Sequence, residues 1–438
     1  MGEHPSRDEL SAFLRGDLSA EERRALVRHL LSRCERCSSE IDLLLGGQDG
    51  SAYDDAIERA WRSVKGLERE HRREKARIQE IAARLPAKSS AVPRGLPRKG
   101  KADVEKLEAL LAKSWSLRYE DPGEMVRYAM MAVQCAKDLD ARVLGRERVL
   151  DLLGRAQAEL GNAYRVLDQL DAAEAKLEEA GRTLELGTGD ESLKMHLLDL
   201  EASLAAARRR FDIAAIYFLT LSEYHEARGD RHLAGRAMIQ RGLYVGYSGH
   251  PEQALHLLEE GLSRVDPAQE PELVQTAIHN RLLFIIDCGR FDEARRFRFL
   301  NTEILSRDNG RVNRARLQEL GGRIEAGLGR PDRAEEIFRE AKQEFEALER
   351  PYLASIVGLD LAAALLALDR SDEAAEVVLA AHKVFKALRI KREALAAVLV
   401  LFHVIRMGRA TARMAEEVAA FLRRLERDPN ARFDPWPL

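Results

Sequence analysis

The feature that most constrains this fold is a pair of residue columns that recur about every 40 residues in the second half of the chain. Six copies carry an alanine two positions after an acidic residue, and the alanines are spaced 41, 40, 40, 40 and 40 residues apart. The copies are Asp171-Ala172-Ala173, Asp212-Ile213-Ala214, Glu252-Gln253-Ala254, Asp292-Glu293-Ala294, Asp332-Arg333-Ala334 and Asp372-Glu373-Ala374. Two columns in register define a repeat, which predicts a stack of similar units rather than one globular core.

The repeat has the pattern of a helical hairpin. The acidic residue lies where a second helix begins and can cap or complement exposed N–H groups there, and the small alanine lets two helices approach closely. Gly249, Gly289 and Gly329 come just before, as stop signals in the turn. Aromatic residues make up only 6% of the chain, which disfavours strands. The sequence therefore predicts an all-α fold, with an α-solenoid of hairpins over residues 103–428 and a tail over 429–438.

One copy also carries a first-helix motif, Leu160-Gly161-Asn162-Ala163-Tyr164, followed by Ala173, Leu177 and Ala180. This copy resembles the tetratricopeptide repeat family, although a period of about 40 residues exceeds the family's usual 34. The resemblance implies a superhelix whose first helices line a groove that holds a peptide or a partner helix. It places these residues along the groove: Arg155, Asn162, Arg165, His196, Arg236, Tyr247, His279, Arg316 and Arg323. The alternative for each is a solvated or packing side chain.

The first 49 residues predict a separate, small helical module. Ser6 and Ser19 each precede a glutamate by three residues, which is the spacing of a helix capping box. His4, His29, Cys34 and Cys37 fall within the module, and two imidazoles with two thiolates suit a tetrahedral zinc ion. Because so short a segment buries little apolar surface, a metal would supply much of its folding free energy.

This ligand pattern, within HPSRDELSAFLRGDLSAEERRALVRHLL, resembles the zinc-binding domain of anti-sigma factors. The resemblance implies a sigma-factor partner. The family usually has three residues between the second His and the first Cys, whereas this chain has four, Leu30 to Arg33. A continuous helix would then point the two ligands apart, so we expect a break near Ser32. A metal-free helical remnant and a C-x-x-C redox pair are the alternatives to zinc.

Residues 50–85 predict an amphipathic and then highly charged helix. Tyr53, Ile57 and Trp61 recur at helical spacing, either as a partner surface or as packing against the zinc module. Residues 86–102 predict a flexible linker that contains three prolines. Between Arg62 and Lys101 there are thirteen Lys or Arg residues against four Glu residues, but no base-reading motif accompanies them, so nucleic-acid binding is the weaker alternative.

The remaining features exclude several classes of protein. The net charge of −3 gives no global field for nucleic acid or an anionic membrane. No apolar run is long enough to span a bilayer and the N-terminus lacks a signal-peptide core, so we expect a cytoplasmic protein. Phosphate-loop, nucleophile-elbow and dinucleotide motifs are absent from the sequence, so we expect no catalysis. The sequence indicates a regulatory adaptor, with a non-regulatory protein-complex scaffold as the alternative.

Overall fold

The computed structural model divides the chain into two compact units, Met1–Gly145 and Arg146–Leu438. It describes residues 4–15, 17–19, 34–44, 72–86, 101–307, 310–428 and 431–433, together with Glu22, Ala25, Leu26, His29, Arg69 and Trp436. Helices connected by turns make up this described part of the chain, as the all-α prediction requires. We consider each unit by itself.

The N-terminal module in the first unit contains helices α1 (Arg7–Arg15) and α2 (Glu35–Leu44). The first predicted capping box is present, because Ser6 N donates to Glu9 Oε2 at 2.7 Å and Glu9 N donates back to Ser6 Oγ at 3.3 Å. Ser19 and Glu22 make the same reciprocal pair at 2.9 and 3.3 Å. A small core beneath these helices consists of Leu10, Phe13, Leu26 and Ile41.

The rest of the first unit contains a helical segment over residues 72–84 and the helices α3 (Lys101–Ser116), α4 (Pro122–Lys137) and α5 (Ala141–Leu144). The first hairpin of the array predicted over residues 103–428 is therefore formed by α3 and α4. Arg77 forms an ion pair with the buried Glu105 at 3.2 Å, and the Tyr128 hydroxyl donates to the Pro86 carbonyl. Residues 87–100 of the predicted linker lie outside the described residues, but the segments on both sides of them contact each other.

The second unit is a succession of antiparallel hairpins. In order, the helices are α6 (Arg146–Val166), α7 (Leu170–Glu185), α8 (Glu191–Ala207), α9 (Phe211–Ala227), α10 (Arg231–Tyr247), α11 (Pro251–Leu262), α12 (Pro271–Asp287), α13 (Phe291–Leu300), α14 (Thr302–Leu305), α15 (Gly310–Gly327), α16 (Pro331–Ala347), α17 (Pro351–Ala367), α18 (Ser371–Ala387), α19 (Arg392–Arg406) and α20 (Ala412–Arg427). First helices therefore alternate with second helices, and α13 and α14 together replace one second helix.

The alanine column has the packing role that the sequence predicted. All six alanines, Ala173, Ala214, Ala254, Ala294, Ala334 and Ala374, are fully buried where the second helix packs on its neighbours. Gly161 on the first helix α6 also allows close packing against α7, since a Cβ at Gly161 would lie 2.8 Å from the Leu177 side chain. Small residues on both sides let the two helices of a hairpin pack closely.

The turn before the second helix adopts a left-handed backbone at one position in each repeat. Asp168, Arg209, Gly249, Gly289, Gly329 and Asp369 occupy this position with φ between 58° and 95°, and successive members are 40 or 41 residues apart. The glycine stops predicted from the sequence are thus explained by a φ that L-residues adopt at a cost. Asp168, Arg209 and Asp369 adopt it although they are not glycine.

The acidic column does not cap the second helix with its side chains. Each acidic residue occupies the second helical position, where its charge complements the positive end of the helix dipole. Four members of the column pair with an arginine further along the chain: Asp171 with Arg208 at 2.6 Å, Glu252 with Arg290, Asp292 with Arg295 at 3.2 Å, and Asp372 with Arg406 at 3.6 Å. These exposed pairs add little stability.

The last hairpin of the predicted array consists of α19 and α20. Within it, α20 packs mainly on α17 rather than on α19. The buried Val418, Phe421 and Leu422 join the same core as α17 and α18.

Candidate functional site

A cluster of two histidines and two cysteines lies in the N-terminal module. The Nδ1 of His4 lies 3.4 Å from Cys34 Sγ and 3.5 Å from Cys37 Sγ, and the Nε2 of His29 lies 3.2 Å from Cys37 Sγ. One donor atom from each of the four side chains lies within 4.8 Å of the other three. The four residues that the sequence singled out are thus brought together, and they could hold a metal ion.

Secondary structure positions these donor atoms. Cys34 immediately precedes α2, and Cys37 lies in the first turn of that helix. The Cys37 backbone N–H donates to the Cys34 sulfur and lowers the pKa of the Cys34 thiol, whereas burial raises the pKa of the Cys37 thiol. The imidazole rings of His4 and His29 meet edge to face at 5.3 Å. A helix N-terminus of this kind favours a thiolate, which is the form that binds metals.

The additional residue between His29 and Cys34 does not disperse the cluster. His29 is helical, whereas Cys34 lies outside a helix and α2 begins after it. The two ligands therefore do not share one continuous helix, which removes the divergence expected from the four-residue spacing. The predicted break at Ser32 itself lies outside the described residues.

A second constellation occupies α6 and α8 in the second unit. His196 Nε2 lies 2.8 Å from Glu159 Oε1, and the Arg165 guanidinium donates to Asn162 Oδ1 at 2.8 Å. Burial opposes the charge on Glu159, but the hydrogen bond and charge of His196, with Arg155 nearby, lower the pKa of the Glu159 carboxyl below its usual value. Three predicted groove residues, His196, Arg155 and Asn162, thus surround a carboxylate that the sequence analysis missed, and the fourth, Arg165, bonds Asn162.

A cavity of about 750 Å³ lies further along the array, and we call it the groove. Its walls are residues of the first helices α10, α12, α15 and α17, together with Phe211 at the start of α9 and the end of α20. Four residues predicted from the sequence line it: Tyr247, His279, Arg316 and Arg323. Burial, with the charge of Arg316, lowers the pKa of His279 to about 4, so His279 is neutral at pH 7. The Tyr247 hydroxyl donates to Asn280 Oδ1 at 2.6 Å.

The C-terminal helix supplies the opposite wall of the groove. Arg423 of α20 donates to Glu319 at 2.9 Å and to Asp360 at 3.1 Å, and its side chain is only 15% exposed. Burial opposes its charge, but these two carboxylates outweigh burial and raise the pKa of Arg423. Asp287 pairs with Arg323 at 2.8 Å and with Arg427 at 3.5 Å. The sequence analysis named Arg323 alone among these six residues.

The other predicted binding residues are placed as follows. Arg236 lies outside the groove lining and faces Glu270 at 3.5 Å. Tyr53, Ile57 and Trp61 lie outside the described residues, so their role as a partner surface stays a prediction. The sequence analysis missed Arg423 and Arg427 because α20 follows the final copy of the repeat, so the repeat columns do not include them.

Comparison with known proteins supports the fold. No protein-family model and no characterised protein matches the sequence. Among solved structures, the chain is similar to the crystal structure of a Rap protein complexed with competence and sporulation factor, with a TM-score of 0.52 and 13% identity. The match covers 74% of this chain and 88% of the Rap chain. At this identity, the likeness shows a shared stack of helical hairpins. In the described part of the chain, every helix is too short or too polar to cross a membrane.

Proposed function

We propose that this chain is a non-catalytic regulatory adaptor with two binding sites. The His/Cys module binds a transcription factor, specifically a sigma factor, and the groove of the hairpin array binds a protein or peptide segment. The observation that carries the proposal is the occurrence, in two different compact units, of a metal-competent cluster and of a cavity lined by successive first helices.

Zinc is the metal that fits the cluster best. With Zn–S bonds of about 2.3 Å and Zn–N bonds of about 2.0–2.1 Å, a tetrahedron separates a nitrogen from a sulfur ligand by about 3.5 Å. The nitrogen–sulfur distances of 3.2 to 3.5 Å agree with this value. Four protein ligands complete the coordination shell, so the ion would have a structural role: it would hold α2 and the segment before α1 together.

The sigma-factor proposal is supported by the N-terminal module. Its sequence resembles the anti-sigma zinc-binding domain, and the described residues form the expected capped helices around the cluster. Holding His4 and His29 against the start of α2 fixes the module surface on which a partner would dock. The scaffold alternative differs in one respect, since a scaffold would bind other proteins through this module but not a sigma factor.

The array proposal rests on the groove. Pockets that bind ligands have volumes of roughly 300–1,000 Å³ and combine apolar walls with a few polar groups, and this cavity fits that description. A protein of similar fold was crystallised with competence and sporulation factor. We infer that this chain likewise uses its array to bind a partner segment.

A pull-down with the full-length, affinity-tagged chain from its native host tests both sites. Recovery of a sigma factor should require the metal module, so Cys34→Ser/Cys37→Ser should abolish it. The matched variant Cys135→Ser/Cys288→Ser removes two thiols elsewhere and should retain it. If both variants retain the sigma factor, or if the wild-type chain recovers other proteins only, the sigma-factor proposal is wrong.

The groove is tested by a second pair of variants in the same experiment. Arg316→Ala removes an exposed cation from the groove, whereas Arg333→Ala removes one from the exposed face of the second helix α16. A groove partner should be reduced by Arg316→Ala and unaffected by Arg333→Ala. Equal recovery with both variants would place the partner elsewhere on the chain.

A further inference from the structure

The C-terminal end of α20, which forms one wall of the groove, is bound by carboxylates of the facing first helices. Arg423 reaches α15 and α17 through Glu319 and Asp360, and Arg427 reaches α12 through Asp287. The Arg427 guanidinium also lies 5.3 Å from the centre of the Tyr247 ring on α10. A single helical turn therefore contacts the first helices of four successive hairpins.

The carboxylates that receive these arginines form a row. Asp287, Glu319 and Asp360 lie on the first helices of three successive hairpins, and their side chains are 23%, 14% and 8% exposed. Two arginines four residues apart lie on the same face of a helix, about one turn apart. The row therefore matches a helix that presents guanidinium groups at this spacing.

The two halves of α20 are held differently. Its buried Ala415, Val418, Ala419 and Leu422 pack in an apolar core, whereas the turn that enters the groove is held by charged groups and by the Arg209 guanidinium, which donates to the Leu425 carbonyl at 3.3 Å. A buried ion pair is no more stabilising than well-packed apolar residues, but it is selective for the geometry of its partner. Charged contacts at the last turn thus specify what occupies the groove.

We propose that the carboxylate row is a docking site for an amphipathic partner helix with arginines four residues apart, and that α20 occupies this site in cis. The inference rests on the proposed groove function and adds the partner's class and its regulation. Because a tethered helix has an effective concentration on the order of millimolar, a partner must outcompete α20, and its apparent affinity is reduced accordingly. Any change that releases α20 opens the groove.

The test uses a fluorescent peptide of residues 410–428, acetylated and amidated, titrated into the full-length chain. In one variant of the chain, Val418→Asp/Leu422→Asp, charges at two buried positions of α20 release the helix. We expect the dissociation constant of the peptide to be lower for this variant than for the wild-type chain, by about tenfold or more. Equal anisotropy titrations for wild type and variant would overturn the proposal.

Matched peptides separate the arginines from general helix packing. A peptide with Arg423→Gln/Arg427→Gln should bind the released variant about tenfold or more weakly than the native peptide, because it loses two charge-assisted contacts. A peptide with Arg413→Gln/Arg424→Gln loses the same charge from residues outside the groove lining and should bind as the native peptide does. Equal binding by all three peptides would show that the row does not select arginine.

Two further measurements keep the outcome decisive. If the released variant does not fold by circular dichroism, Arg423→Ala/Arg427→Ala in the full-length chain should bind the native peptide tighter than wild type, while Arg413→Ala/Arg424→Ala should match wild type. Failure of this comparison overturns the proposal. If the native peptide fails to bind while a groove partner is still lost with Arg316→Ala, only the docking-site inference is wrong and the proposed function of the groove stands.

Discussion

His4, His29, Cys34 and Cys37 show how four side chains act as one unit. We predict one zinc ion per chain in the reduced protein, because these donors complete a tetrahedron. Cys34→Ser/Cys37→Ser should lower the zinc content to near zero by elemental analysis and remove the helical structure of the N-terminal module. The control Cys135→Ser/Cys288→Ser should keep its zinc. Undiminished zinc in the first variant would show that the ion is bound elsewhere.

His279 predicts a pH dependence of stability. Its pKa is lowered to about 4 by burial and by Arg316, so the unfolded chain binds more protons than the folded chain between about pH 6.5 and pH 4. Stability from this residue is complete above that window and is lost as the pH falls through it, by up to about 3 kcal/mol. Thermal melting of His279→Gln should be less sensitive to pH in this range than melting of the wild type.

The control for this experiment is another histidine of the same array. His256 lies on the exposed face of α11, so His256→Gln should retain the wild-type pH dependence. Comparing two histidine variants also removes the contribution of the metal site, which is common to both. If the two variants show the same pH dependence, His279 is not the titrating group.

At the scale of the hairpin, we predict that removing a glycine from a turn lowers stability and that adding a glycine to a turn raises it. Gly329 and Glu349 both have a left-handed backbone, with φ of 73° and 54°. Gly329→Ala should destabilise the array by about 1 kcal/mol, since an alanine is strained at that φ, and Glu349→Gly should stabilise it by up to about 1 kcal/mol. Melting temperatures that shift in the same direction for both variants would contradict this account.

At the same scale, α20 depends on a buried cation. Arg423→Ala leaves Glu319 and Asp360 buried without their shared partner, and we expect a loss of about 3–5 kcal/mol in unfolding free energy. Arg413→Ala on the same helix breaks an exposed pair with Glu417 and should cost about 1 kcal/mol or less. Urea unfolding followed by circular dichroism measures both. Similar losses for both variants would argue against a buried ion-pair network.

At the scale of the whole molecule, the division at Gly145 predicts an independent fragment. Residues 146–438 contain complete hairpins with their own cores, so this fragment should be helical and should melt cooperatively without the first unit. By contrast, proteolysis within residues 87–100 should not separate the helical segment over 72–84 from α3 and α4, because Arg77 and Tyr128 hold them together. Size-exclusion chromatography of the cleaved chain checks this second outcome.

The sequence by itself determined the hairpin array and the four metal-competent ligands. A helix that packs closely against its neighbours requires a small residue at the contact, so the contact recurs as an alanine column that can be read without a structure. The N-terminal ligands are similarly readable, since their order and residue types reflect the donor atoms that a metal requires. Both signals are properties of short segments or of a regular period.

Only the tertiary structure showed which residues line the groove. The contacts of Arg423 and Arg427 join residues 63, 104 and 140 positions apart, outside the period of the repeat. Glu159 gave no signal for the same reason, because its partner His196 is 37 residues away on another helix. In the sequence these residues resemble ordinary solvated charges. The stacking of successive hairpins turns their first helices toward one cavity. A charged group that is buried there is costly unless an oppositely charged group pairs with it.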